Sequence, residues 1–265
     1  MSSDKFTVER ILWIHAWAPN LFSFRLTRHA GFRFVPGQFA RLGVKKPDPD
    51  NPKNPSGEKI VWRAYSVVSA EYDEHLEFYS IVVPGGEFTS ELARLAVGDT
   101  VYVEKTPYGF MTTDRFENGK DLWLLATGTG LAPFLSMLWD VRNWESYENL
   151  IVVHSVRYPN ELAYAETIEG LRGHELFAPL SHKLHYVPVV TRARVAGTLG
   201  ERIPALIDTG ALERAAGVKL DHERSRIMIC GNPEMVDDTR KHLTALGFAM
   251  SRRGKPGHMA VENYW

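Results

Sequence analysis

Along the first hundred residues, apolar and β-branched side chains come in short runs separated by turn-forming residues. Val8 to Ile14, Leu21 to Thr27, Gln38 to Val44, Val61 to Val68, Leu76 to Val82 and Thr100 to Lys105 carry this pattern. Alternation buries one face of each strand, and even spacing suits an antiparallel barrel or sandwich. One helix-like piece interrupts the run, Thr89 to Leu95, with Thr89 as its expected N-cap. Pro47 to Gly57 holds four prolines among Asp, Asn, Ser and Gly, a composition that predicts a surface loop with neither strand nor helix.

From about residue 120 the rhythm changes. Leu122 to Ala126, Leu150 to Ser155, Leu184 to Val190 and Arg226 to Cys230 are short apolar runs. Helix-period stretches alternate with them: Pro133 to Val141, Tyr164 to Leu171, Ile203 to Ile207 and Glu234 to Leu246. Such alternation predicts an α/β unit with a parallel sheet covered on both faces. The expected division is two domains, residues 1–113 and 120–265, with Phe116 to Lys120 as the connection.

Composition narrows the function classes. The chain has 265 residues, a net charge of −1 and no general basic excess, which argues against a nucleic-acid binder. Its single cysteine, Cys230, excludes an intrachain disulfide framework and a four-thiolate iron–sulfur centre. The ten histidines are scattered without ligand spacing, so no metal site is expected. No apolar run reaches the roughly 20 residues a membrane span needs. The N-terminus lacks the apolar core of a secretory signal, so a soluble, cytoplasmic protein is expected.

Two segments carry most of the candidate chemistry. Arg63-Ala64-Tyr65-Ser66 offers a guanidinium, an aromatic plane and a hydroxyl on one strand, with Arg63 and Tyr65 on the same face. This set suits a flavin: Arg63 for phosphate oxygens, Tyr65 for stacking, Ser66 near N5. An edge strand with a cross-strand tyrosine would look the same. Downstream, Phe78 to Val83 leads into Gly85-Gly86-Glu87-Phe88-Thr89-Ser90, whose glycines present backbone N–H groups to an anion. The plain alternative is a hairpin loop followed by a capped helix. Gly128-Thr129-Gly130-Leu131-Ala132-Pro133 follows a strand and opens a helix, with Pro133 where a dinucleotide fingerprint has its third glycine. Its small residues still let a backbone approach a pyrophosphate, and Pro133 suits a first helical turn.

Three arginines sit at strand ends or in adjacent loops: Arg157, Arg192 beside Thr191, and Arg202. Together they suit the 2′-phosphate of NADP rather than NAD, unless they serve as ordinary surface ion pairs. Cys230-Gly231-Asn232-Pro233 ends the last strand of the second half, where ligands meet an open α/β sheet.

In order, Arg-x-Tyr-Ser, Gly-Gly-x-x-Thr-Ser, Gly-Thr-Gly-Leu-Ala-Pro and Cys-Gly-Asn-Pro resemble the ferredoxin/flavodoxin–NADP⁺ reductases over nearly the whole chain. The bacterial type is nearest, through the ending from Pro256 to Trp265. This resemblance implies an N-terminal FAD-binding β-barrel and a C-terminal NADP(H)-binding α/β domain, with the tail 256–265 returning to the flavin. It implies an FAD set of Arg63, Ala64, Tyr65, Ser66, Phe78, Ser80, Glu87, Phe88, Thr89 and Thr129. Tyr264 would cover the isoalloxazine and Trp265 would lie near the adenine. The implied NADP set is Gly128, Gly130, Arg157, Thr191, Arg192, Arg202, Gly231, Asn232 and Pro233. Ser66, Cys230, Glu262 and Tyr264 are the implied catalytic groups, with Cys230 beside the nicotinamide C4. Ferredoxin or flavodoxin is the implied partner of a monomer, docked on basic residues such as Arg252, Arg253 and Lys255. A free-flavin reductase or diaphorase on the same frame, or a redox-sensing flavoprotein without a carrier, are the competing readings.

Overall fold

A computed structural model describes residues 5–48, 57–252 and 254–263. The chain falls into two units, Met1–Gly109 and Phe110–Trp265. In the first, six antiparallel strands are joined in the order β4-β3-β6-β1-β2-β5. They are β1 (Phe6–Ala18), β2 (Leu21–Thr27), β3 (Phe39–Pro47), β4 (Glu58–Ser66), β5 (His75–Ile81) and β6 (Thr100–Glu104). The sheet curls until its edges meet: Val67 bridges Phe78, and the Val68 N–H donates to the Glu77 carbonyl at 2.8 Å. β1 makes the curl possible. Its first half pairs with β6 and its second with β2, and two register shifts along the β2 pairing, at Ile11/Trp13 and Ala16/Ala18, bend it. Inside lie Ile11, Phe24, Leu26, Leu42, Leu76, Phe78, Val101 and Val103.

The short helix α1 (Glu87–Leu92) closes one side of this core with Phe88 and Leu92. Its N-cap is Gly86, not Thr89 as the sequence suggests. A hydroxyl caps only from outside the helix, and Thr89 lies inside the first turn. There its Oγ1 accepts from the Val83 N–H at 3.1 Å, and a side chain on Gly86 would collide with it at 2.7 Å. The proline-rich stretch also departs from expectation at its margins. Pro47 ends β3, and Asp48 donates to the Gly57 carbonyl, so hairpin pairing runs past the predicted strand ends. Residues 49–56 lie outside the described residues.

The second unit holds a five-stranded, wholly parallel sheet in the order β11-β10-β7-β8-β9. Its strands are β7 (Asp121–Thr127), β8 (Asn149–Val156), β9 (Leu184–Val190), β10 (Ser225–Cys230) and β11 (Met259–Glu262). Its helices are α2 (Ala132–Leu138), α3 (Val141–Ser146), α4 (Ala165–Gly170), α5 (Ile203–Asp208), α6 (Ala211–Ala216) and α7 (Pro233–Ala245), and one sheet face presents Trp123, Leu125, Ile151, Val153, Ile227 and Ile229 to α5, α6 and α7. Both faces are buried, as continuous apolar runs require.

Three differences from the sequence reading have local causes. Pro133 to Val141 splits into α2 (Ala132–Leu138) and α3 (Val141–Ser146), because Asp140 accepts from the Arg142 N–H at 3.0 Å and starts a new helix. The α6 turn, framed by Gly210 and Gly217 in the left-handed region, was not foreseen. Met259–Glu262, read only as tail, adds a strand beside β10.

Candidate functional site

In the first unit, β4 sets Arg63, Ala64, Tyr65 and Ser66 in a row that ends where the barrel edge closes. Tyr65 is half-buried, and its ring meets Phe88 at 5.3 Å, Phe24 at 6.2 Å and Phe78 at 6.3 Å. Its hydroxyl shares a 2.8 Å hydrogen bond with Ser80 Oγ. Burial pushes the phenol up to about 12, so it keeps its proton. Phe78, Phe88 and Ser80 are therefore buried supports around Tyr65. Ser66 is also buried, whereas Arg63 is exposed and among the described residues bonds only to the Trp62 carbonyl, at 2.8 Å. Glu87 is engaged elsewhere: Lys46 bonds it at 2.8 Å and holds its carboxyl below the usual range, with Lys59 at 3.7 Å.

In the second unit, the ends of β7 and β10 are locked together. The Asn232 N–H donates to Thr127 Oγ1 at 2.9 Å. Gly231, at φ +138°, lies so close that a Cβ would stand 2.2 Å from Thr127 Oγ1. The Gly128-Thr129-Gly130 turn presses on the same strand end, where a Cβ on Gly130 would stand 2.3 Å from the Cys230 carbonyl oxygen. Sequence reasoning passed over Thr127. The available signal was its place between the β7 run and Gly128. Asn232 accepts from the Glu234 and Met235 N–H groups and so caps α7, with Pro233 at its first position.

Parallel register places Glu262, Cys230, Ala126, His154 and Pro188 in one row across the five strands. Cys230 is fully buried, and burial with the nearby Glu262 charge raises its thiol well above the ordinary range. It is a neutral S–H, not a nucleophilic thiolate. His154, two strands away, is also fully buried, and desolvation lowers it from 6.5 to about 4. Between those values the unfolded chain binds a proton that the folded chain refuses. The associated stability, about 3 kcal/mol, is complete above pH 6.5 and lost as the pH falls toward 4. A His154→Leu variant should lose about 2 kcal/mol less than the parent when urea unfolding is moved from about pH 7.5 to about pH 4.5. Parallel losses in the two proteins would contradict this.

The three arginines stand at the same end of the sheet. The Arg192 N–H donates to the Arg157 carbonyl at 2.9 Å, and the Thr191 N–H and hydroxyl donate to the Val156 carbonyl at 3.0 and 3.1 Å. These bonds set Arg157 and Arg192 side by side past β8 and β9. The Val190 N–H donates to the Leu199 carbonyl at 2.8 Å, three residues before Arg202, the N-cap of α5. All three are exposed, and among the described residues none of their side chains has an ion-pair or hydrogen-bond partner. Among the described residues, none of the three forms the ordinary salt bridge of the alternative reading.

Tyr264, Trp265 and Arg253 lie outside the described residues. Among those described, no cluster suits a metal ion, and no helix is long and apolar enough to cross a membrane.

The profile of the oxidoreductase FAD-binding domain matches residues 16–112, and that of the oxidoreductase NAD-binding domain matches residues 124–241. The ferredoxin–NADP reductase of Pseudomonas aeruginosa is 41% identical over 258 residues, covering 96% of this chain and 95% of that protein. The flavodoxin/ferredoxin–NADP reductase of Escherichia coli is 38% identical over 258 residues, 97% of each chain. The crystal structure of a ferredoxin NADP⁺ reductase from Neisseria gonorrhoeae with bound FAD and NADP superposes with a TM-score of 0.88 at 39% identity. It covers 98% of this chain and 99% of that one.

Proposed function

This chain belongs to the ferredoxin/flavodoxin–NADP⁺ reductase family, and from that premise we propose which of its residues carry the activity. The protein is an FAD-dependent oxidoreductase that exchanges a hydride with NADP(H) and electrons with ferredoxin or flavodoxin. Bound FAD supplies the hydride and one-electron chemistry. Everything else is binding, orientation and electrostatics from the protein.

The residues present fit both groups. Arg63 has an exposed planar fork suited to the FAD pyrophosphate, and Ala64 beside it keeps the backbone accessible. Tyr65 offers an aromatic plane whose orientation is fixed by Phe78, Phe88 and Ser80, so these three act on the flavin through it. The Gly85-Gly86 turn and Thr89 supply further donors. Glu87, the first residue of α1, is assigned to FAD with them, while its side chain pairs with Lys46. Thr129 is assigned to FAD as well. Tyr264 and Trp265 are assigned to the flavin ring and the adenine on family resemblance.

For NADP(H), Gly128, Gly130, Gly231, Asn232 and Pro233 form a tight backbone surface for the pyrophosphate and nicotinamide end. Arg157, Thr191, Arg192 and Arg202 hold the 2′-phosphate. Cys230, as a neutral thiol, places a small polarizable group at the nicotinamide C4 without competing as a nucleophile. Ser66 and Glu262 complete the groups that hold or release a proton. Arg252 and Lys255, linked by reciprocal backbone hydrogen bonds of 3.0 and 2.9 Å, offer basic surface to the electron carrier. A cytoplasmic monomer completes the reading, and light scattering tests the monomer.

The observation that supports the NADP(H) assignment is that Arg157 and Arg192, joined by a backbone hydrogen bond, are both exposed and have side chains without a partner among the described residues. Purified protein should be yellow, and anaerobic NADPH should bleach it, with NADH far less effective at equal concentration. Colourless protein after incubation with FAD, or equal bleaching by both nucleotides, would refute the assignment.

A further inference from the structure

We propose that Glu161 is a positioning residue for the 2′-phosphate seat: its carboxylate fixes the backbone that carries Arg157 and leaves that guanidinium unpaired for the anion. The proposal rests on the NADP(H) reading given above. Strand β8 ends at Val156, and its neighbour β7 ends at Thr127, opposite Ser155. The N–H groups of Arg157 and Tyr158 therefore find no strand to pair with. One carboxylate oxygen takes both: Glu161 Oε2 accepts from the Arg157 N–H at 2.9 Å and from the Tyr158 N–H at 3.0 Å. The chain comes round to do this because Tyr158 is extended and Pro159 opens a short turn, Pro159–Glu161. The Glu161 N–H closes that turn by donating to the Tyr158 carbonyl at 3.0 Å. On its other side, the Arg157 carbonyl receives the Arg192 N–H at 2.9 Å. Arg157 is thus gripped through its own N–H and its own C=O, by Glu161 and by the loop after β9.

Solvation alone does not call for a carboxylate here. Residues 157–160 are exposed, so water would satisfy both donors. The charge of Glu161 also opposes an anion seated at Arg157, because like charges repel. Nor is that charge spent on an ion pair. Among the described residues no cation lies within salt-bridge distance of Glu161, and Arg157, four positions away, is not captured by it. What Glu161 supplies is a fixed double acceptor. A guanidinium carried on a backbone held at both ends loses less freedom when a phosphate arrives, and binding gains by the cost avoided.

The test uses the full FAD-loaded chain with Glu161→Ala, which removes the acceptor, and Glu161→Gln, which keeps a carbonyl acceptor without the charge. Arg157→Ala and the double variant Glu161→Ala/Arg157→Ala complete a cycle that measures coupling. NADP⁺ is titrated calorimetrically into each, and kcat and KM are measured for NADPH and NADH with ferricyanide as acceptor. Glu161→Ala should weaken NADP⁺ about tenfold and raise the KM for NADPH while kcat holds, with kcat/KM for NADH changed less than twofold. Glu161→Gln should stay within about threefold of the parent or bind more tightly. In the Arg157→Ala background, Glu161→Ala should change NADP⁺ binding less than twofold, since the group it acts through is gone. Unchanged NADP⁺ affinity in Glu161→Ala would overturn the proposal, as would a Gln variant as weak as the Ala variant or an equal loss for NADH. So would a full tenfold loss in the Arg157→Ala background, or an Ala variant that fails to fold or to hold FAD, either of which makes the role purely structural. If Arg157→Ala alone leaves NADP⁺ affinity unchanged, the 2′-phosphate assignment falls first and this proposal falls with it. A loss at Arg157 without one at Glu161 overturns this proposal alone.

Discussion

Replacing Gly130 with alanine is expected to slow NADPH-driven bleaching of the flavin by about 100-fold while leaving FAD bound. The added Cβ would stand 2.3 Å from the Cys230 oxygen, 2.5 Å from its carbonyl carbon and 2.6 Å from the Gly231 Cα. All three are backbone atoms, so no rotamer change relieves the clash. The turn and the β10 end must separate by about 1 Å to reach ordinary contact distance, a displacement large enough to spoil a hydride-transfer geometry. Overpacking of this kind also costs about 1–3 kcal/mol, read as a fall of roughly 2–10 °C in melting temperature. Gly128→Ala provides the contrast. Its Cβ finds open space, and only the left-handed backbone at φ +52° resists it, at about 1 kcal/mol. Stopped-flow reduction of the two variants decides the matter. If Gly128→Ala were the more damaging change, close approach at Gly130 would not be what the turn requires.

The second large effect concerns nucleotide choice. Arg192→Ala should lower kcat/KM for NADPH by about 30–150-fold, the worth of a charge-assisted contact of about 2–3 kcal/mol, and change that for NADH less than threefold. Arg192→Lys should recover only part of the loss, because an ammonium cannot reproduce the planar fork. The effect on NADPH should shrink as salt rises, since Arg192 is exposed and its field is screened. Equal losses for both nucleotides would remove Arg192 from the 2′-phosphate site.

Strands whose burial follows a simple rule were legible in the sequence. Leu21–Thr27 and Leu184–Val190 fall where the pattern places them, because turns bound each run on both sides. The helix over 133–141 was read too long because Asp140, in mid-run, acts as a cap, which periodicity alone does not register. β11 went unread because Met259–Glu262 is only four residues long. Its pairing comes from β10, a partner nearly 30 residues upstream that no local pattern reveals. The motif glycines were legible as motifs, but what each contacts was not. Gly130 is needed for a backbone approach, whereas Gly128 has room to spare. Thr127 escaped notice for a similar reason: its significance comes from Asn232, a residue past the end of β10 that no local pattern brings to it.

The hydroxyl of Thr127, by joining the ends of β7 and β10, has a consequence for redesign. The arginines assigned to the nucleotide's phosphate tag stand beyond β8, beyond β9 and at the head of α5, and among the described residues none of their side chains bonds to that joined pair. On that assignment, coenzyme preference and hydride handling are mounted on separate parts of one sheet. Exchanging the first set of side chains leaves the mechanical coupling of the second intact, so a switch toward the untagged coenzyme can be engineered without retuning the reaction centre.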